Sequence, residues 1–367
     1  MDASVSRNPP APDVATAAAL HDRLACAVPA PAADRVQLGH GSGGKLSAAL
    51  LRDRFLPHFG NPILEQLGDG AVLPALDGEA VISTDTFVVT PVEFPGGNIG
   101  SLAVHGTVND VAMMGAEPRY LTAGFVIEEG LELELLDRVV SAMAAAAAQA
   151  GVTVVTGDTK VVERGKADHL YVNTTGLGIR TGTFRPAPDR ARPGDVVLVS
   201  GPIGRHGMAI MAAREDLRLD AEIRSDTAPL HTLVRRLREA AGDEVHVLRD
   251  PTRGGVASAT NEIAAASGVG IALVESEIPV PGPVAAACEI LGLDPLYVAN
   301  EGVLIAIVAE PAAPAALAAL RADPQGEQAA IIGRVVADHA GMVVLRTRIG
   351  GNRVVDMLSG DQLPRIC

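Results

Sequence analysis

Short apolar runs alternate with helical stretches along both halves of this chain, and none reaches the ~18 residues needed to cross a membrane. Such a pattern closes up as layered sheets and helices, an α+β arrangement, and 367 residues exceed the ~250 to 300 that one core fills, so two domains are expected. Hydrophobic residues make up 48% and aromatics only 2%, so Ala, Val and Leu must do the packing. The net charge of -14 argues against nucleic acid or an anionic membrane as a general partner. An anionic ligand must then be met by local cations and backbone donors. Cys26, Cys288 and Cys367 show neither metal-ligand spacing nor a disulfide framework, which fits a reducing cytoplasm.

Composition divides the chain into four parts. Residues 1–34 are Ala/Pro-rich with an acidic start and read as a disordered extension rather than a signal peptide. Residues 35–182 form a first domain of alternating strands and helices; a Pro- and Arg-rich link opens the second, 183–348. Residues 349–367 read as a flexible tail.

The polar motifs fall at the joints of this pattern. Gly39-His40-Gly41-Ser42-Gly43-Gly44-Lys45 offers backbone N–H groups and one cation, a plausible phosphate flap. It nearly fits a Walker loop, but Leu46 stands where the magnesium-binding hydroxyl belongs. Asp69 sits between glycines, a usual turn setting, while Asp85 interrupts good strand formers within Ala80–Val89. Asn98 looks like the N-cap of a helix running to about Gly115, with Asn109-Asp110 polar inside an apolar pattern. A short strand, Val152–Val155, is expected to deliver Thr156-Gly157-Asp158-Thr159-Lys160 at its end. Arg249-Asp250-Pro251-Thr252-Arg253-Gly254-Gly255 opens a helix, and Asn300-Glu301-Gly302 leads into another strand. Taken singly, each acid is an ordinary cap or turn residue. Magnesium, however, takes a few carboxylates together with substrate phosphate oxygens, so together with the flap they favour a nucleotide-dependent enzyme. Cys288 lies on an apolar helix and is expected to be buried and inert.

At the far end stands Leu363-Pro364-Arg365-Ile366-Cys367, a nucleophilic side chain on the segment that is ordinarily most mobile. The thiolate is the reactive form and nearby cations favour it. Such a thiol suits a swinging arm, loaded in one place and processed in another.

The ordered set Ser42-Gly43-Gly44-Lys45, Asp69-Gly70-Ala71, Ser83-Thr84-Asp85-Thr86, Asn109-Asp110-Val111-Ala112, Gly157-Asp158-Thr159-Lys160, Arg249 to Gly255, Asn300-Glu301-Gly302 and Pro364-Arg365-Ile366-Cys367 resembles the HypE family of hydrogenase maturation factors. That family, the carbamoyl dehydratases, sits in the aminoimidazole ribonucleotide synthetase (PurM)-like ATP-binding superfamily. The resemblance covers about Gly39 to Cys367. It implies an N-terminal domain that dimerises through its strands into a barrel-type interface, with ATP nearby, and a C-terminal α/β domain. It implies ATP-dependent dehydration of an S-carboxamide on Cys367 to an S-cyanide, after loading by a HypF-type carbamoyltransferase. The cyanide then passes to iron on the HypC-HypD complex.

By the same resemblance Cys367, Lys160 and Glu301 are catalytic, with Glu301 the base. Gly43, Gly44, Lys45, Asp69, Asp85, Asn109, Asp158 and Asp250 are expected to hold ATP, and Asp69, Asp85, Asp110 and Asp158 to supply the magnesium ligands. Two other readings stay open: another phosphoryl-transfer enzyme of the superfamily, or a non-catalytic thiol carrier. ATP turnover separates the carrier from the enzyme.

Overall fold

The computed structural model describes residues 34–215, 221–357, 360 and 365–367. The expected extension with Cys26, and Leu363 and Pro364 of the tail, lie outside them. The first half runs β1 (Glu79–Phe87), the short β2 (Glu93–Phe94) and β3 (Gly97–Asn98), α1 (Ile99–Met113), β4 (Glu117–Glu128), α2 (Leu133–Ala150), β5 (Thr153–Val162) and β6 (Leu170–Arg180). Asn98 starts α1 as foreseen: its Oδ1 accepts from the N–H groups of Gly100 and Ser101, and its own N–H donates to Ser101 Oγ. Almost every side of α1 is buried, and Gly100 lets it press on α2, because a Cβ there would meet Val139 O at 2.3 Å.

The four longer strands form one sheet in the order β1-β6-β4-β5. The β4–β5 pair is parallel, joined by the α2 crossover, and the other pairs are antiparallel. One face packs on α1 and α2. The other is open, with Ile82 69% and Val126 37% exposed. Across it Thr84, Thr175, Thr122 and Thr156 lie side by side by register. The sequence placed residues 156–160 at a strand end. They instead lie inside β5, whose pairing with β4 continues to Val162. Polar residues belong there because β5 is an edge strand beside an open face.

The second half adds β7 (Val196–Val199), α3 (Arg205–Arg214), α4 (His231–Ala241), β8 (Val245–Arg249), α5 (Gly255–Ser267), β9 (Gly270–Val274) and α6 (Gly282–Leu291). Then follow β10 (Ile305–Val308), α7 (Ala313–Arg321), β11 (Ala330–Val336), β12 (Val343–Arg346) and β13 (Asn352–Val355). Its sheet has the order β13-β12-β9-β11-β7-β10-β8. The central strands β7 and β10 are buried on both faces. Val196 and Leu198 pack with Leu233 and Leu237 of α4, whereas Val197 and Val199 pack with Val256 and Ile263 of α5. That two-sided burial explains why these strands read as unbroken apolar runs. The expected tail begins with order: β13 pairs antiparallel with β12.

Residues Arg35–Cys367 form one compact unit, and Ala112 and Met113 of α1 join the core under the second sheet. Among the described residues no helix is long and apolar enough to cross a membrane.

Candidate active site

Five carboxylates converge on the buried side of the β1 edge. Asp85 points from β1 toward α1, where its Oδ2 is 3.8 Å from the position of a Cβ on Gly106. Asp110, on α1, accepts from Ser83 Oγ at 2.8 Å. Asp250 follows β8, and Glu301 precedes β10; both are buried. Burial raises the pKa of Asp85 and Asp110, and Asp85 adds repulsion to Asp110. Burial, then Asp110, pushes Asp250 up to about 7. Glu301 lies well above the usual carboxylate range through burial first and then Asp250 and its other acidic neighbours. Sequence reasoning missed the fifth, Asp226. Its Oδ1 accepts from Glu301 N at 3.2 Å, its Oδ2 is buried with no partner, and burial raises it to about 6. Gly302 is obligatory beside it, since a Cβ there would lie 1.7 Å from Asp226 O. In sequence, Ser225-Asp226-Thr227 looks like an ordinary helix approach; only its contact with Glu301 marks it.

Positive charge borders this cluster. Arg249 and Arg253 act on Asp110, and Arg253 also acts on Asp85. Arg253 is exposed where α5 begins, and Gly255 there has φ +60 with Leu296 O only 2.5 Å from a Cβ position. Backbone at this turn therefore approaches more closely than any other residue would allow.

The glycine-rich segment forms a separate locus. Gly43, at φ +78, lines a cavity of about 310 Å³ with His40, Ser47, Phe125, Asp158 and Lys160. Gly44 precedes the helical turn Lys45–Leu50, and Lys45 is exposed. Asp69 is exposed too, between Gly68 and Gly70, which line the same cavity. Lys160 Nζ pairs with Asp158 Oδ2 at 2.7 Å, and this hydrogen-bonded cation lowers the Asp158 pKa.

The expected site residues therefore fall into separate places within one chain. Asp69, Asp85, Asp110 and Asp158 do not surround one ion within a single chain, because β1 and β5 are opposite edges of the sheet, three strand spacings or about 14 Å apart. Register also sends Asp85 to the helix face and Asp158 to the open face. Lys160 and Glu301 are divided in the same way. Asn109 is buried and engaged by backbone: its Oδ1 accepts from Leu230 N at 2.7 Å and its Nδ2 donates to Ala228 O and Glu301 O. It ties α1 to the segments that carry Asp226 and Glu301. Among the described residues no three His, Cys, Asp or Glu side chains are grouped to hold a metal ion.

The last three residues are docked at the end of β1. Val88 N donates to Cys367 O and Thr90 N to Arg365 O, each at 3.2 Å. Ile366 is buried in the first core, with Cys367 half-buried against it. His206 Nε2 is 2.6 Å from Ile366 O, and its Nδ1 is 2.8 Å from Ser225 Oγ. A carbonyl only accepts, so Nε2 carries the hydrogen and Nδ1 accepts from the serine hydroxyl. Cys288 is buried, and burial pushes its thiol up to about 11.

His206 gives a pH signature. Burial lowers its pKa to about 4, against roughly 6.5 in an unfolded chain. Between those values the unfolded state binds the extra proton. Stability present above pH ~6.5 is therefore lost as pH falls, by up to about 3 kcal/mol. In urea melts, the stability gap between the native chain and His206→Gln is expected to narrow from about pH 7 to about pH 4.5; a constant gap would mean that His206 titrates normally.

Comparison with known proteins extends this geometry. The model of the AIR synthase related protein N-terminal domain matches residues 67–180, and that of the C-terminal domain matches 192–346. The chain is 54% identical over 332 residues to the carbamoyl dehydratase HypE of Bradyrhizobium diazoefficiens, covering 90% of this chain and 96% of that one. It is 47% identical over 339 residues to the Escherichia coli K12 carbamoyl dehydratase HypE, covering 91% and 100%. A crystal structure of HypE in complex with ATP matches with a TM-score of 0.87 at 52% identity, covering 90% and 99%. A chain from a HypE-HypF complex matches at 0.74 with 45% identity, covering 84% and 100%.

Proposed function

We propose, from the premise that this chain belongs to the HypE family of carbamoyl dehydratases within the AIR synthase related proteins, that Cys367 carries the group on which it acts. Its activity is the ATP-dependent dehydration of a carbamoyl group in hydrogenase maturation. The observation that carries the reading is the position of Cys367 beside Val88. Three residues along that segment, about 10 Å, lies Asp85 and the acidic cluster.

The chemistry balances as carboxamide plus ATP giving nitrile, ADP and phosphate. An amide oxygen leaves poorly, so phosphorylating it lets phosphate depart as the C≡N bond forms and N–H protons are removed. Glu301, made more basic by burial and by its acidic neighbours, is the proposed base. Arg253 and the N-terminus of α5 offer donors to phosphate, and the Gly43–Lys45 segment a cover for it. The buried acids and the unpartnered oxygen of Asp226 fit a hard divalent cation. Asp85, Asp110 and Asp250 are not grouped closely enough to hold an ion by themselves; they would hold magnesium only together with the phosphate oxygens of the nucleotide, where the ion would supply positive charge.

A HypF-type protein is the loading partner, in line with the HypE-HypF complex, and a HypC-HypD pair is the proposed acceptor of cyanide. A second copy is proposed over the open sheet face. That pairing brings the Asp158–Lys160 edge of one copy toward the β1 edge of the other, which accounts for their separation within one chain.

Glu301→Gln tests the assignment of the base. The variant is expected to load at Cys367 and bind ATP, yet to dehydrate about 10² to 10⁴ times more slowly in single turnover. An unchanged rate would take Glu301 out of the reaction.

A further inference from the structure

The docked end of the chain is held by main-chain contacts from two sides. Two backbone hydrogen bonds, from Val88 N to Cys367 O and from Thr90 N to Arg365 O, lay the end of the chain antiparallel along residues 88–90, just beyond β1. Successive carbonyls of a strand point to opposite edges. Those of Arg365 and Cys367 face residues 88–90, and that of Ile366 faces His206. Arg214 Nη2 spans the seam, donating to Thr90 O at 2.7 Å and Arg365 O at 2.8 Å.

Side chains are read as well. The Arg365 guanidinium pairs with Asp168 and donates to Val88 O at 3.3 Å, and this neighbour lowers the Asp168 pKa. Ile366 fills a core position at 4% exposure. Arg365 adopts φ +56, a left-handed conformation that costs a non-glycine residue about 1 to 2 kcal/mol. The contacts on either side offset that cost.

We propose that Val88, Thr90, Asp168, His206 and Arg214 form a peptide receptor specific for a terminal Arg-Ile-Cys, and that it accepts such a peptide in trans as well as the chain's own end. The receptor has two registers of specificity. His206 and the backbone of residues 88–90 fix the main chain, whereas Asp168 and the Ile366 pocket select the side chains. His206 is a positioning residue here, since it acts through the Ile366 carbonyl. The proposal goes beyond the dehydration reading, and its test runs without nucleotide, so either can fail alone.

The test uses the full chain and a cysteine-free peptide, Gln-Leu-Pro-Arg-Ile-Ser. The attached end competes at millimolar effective concentration, so the peptide is titrated through the millimolar range. Alkylation of Cys367 by iodoacetamide is followed by mass spectrometry, with buried Cys288 as the internal reference. Displacement by peptide is expected to raise the Cys367 rate severalfold and to saturate. A scrambled peptide, or one with Ala in place of Arg, should do neither. Asp168→Asn, a partly exposed position, should erase the preference for Arg over Ala in the peptide. No acceleration, or equal acceleration by the scrambled peptide, would overturn the proposal.

Discussion

A chain carrying Cys367→Ser is expected to take up no stable carbamoyl group from the proposed HypF-type partner and to show no ATP-driven loss of water. The native chain, treated alike, should show a carboxamide adduct on its last peptide that loses one water on addition of ATP, with phosphate released. The effect should be complete because no second thiol among the described residues can substitute. The nucleophile is the thiolate, and burial holds the Cys288 thiol at about 11. Mass spectrometry of the terminal peptide reads both steps. An adduct that persists through ATP treatment in the native chain would favour the carrier reading; continued water loss in the serine variant would end the assignment of Cys367.

Mixing two inactive chains, Lys160→Ala and Cys367→Ala, is expected to restore activity. Random pairing makes half of the dimers mixed, and one of the two sites in each mixed dimer then joins an intact lysine edge to an intact cysteine edge. Recovery should approach about a quarter of the native rate. The expectation comes from strand order: β5 with Lys160 and β1 with the docked thiol are opposite edges of one sheet. If one chain supplied both residues, no mixture would regain activity, because no chain in it would hold the pair. Denaturing and refolding the chains together, with each alone as control, provides the comparison.

The alternation of elements was legible because it depends on local periodicity. Asn98 announced α1, and the runs at 195–200 and 303–308 announced the strands found at 196–199 and 305–308. The family resemblance likewise matched the fold and the activity. What sequence could not supply was face and edge. Asp85, between Thr84 and Thr86, and Asp158, between Gly157 and Thr159, both sit in strands beside small polar residues, and only the pairing register separates them. Asn109 looked like a ligand-binding amide because its backbone partners, at 228, 230 and 301, are remote in sequence. Asp226 escaped for the same reason: its meaning lies in the Glu301 N–H, 75 residues away. Residues 313–321 form a helix whose alanines carry too weak a pattern to stand out.

Helix α1 is buried on nearly every side from Ile99 to Met113, with Ser101 and Asp110 the partly exposed positions. A rod clamped on nearly every side cannot turn or slide without opening voids in two cores at once. It is the axle of the molecule, and Asp110 rides on it at a fixed height. Any travel that the proposed cycle requires is left to the rim, where the end of the chain is held by a few backbone hydrogen bonds while the hub stays still.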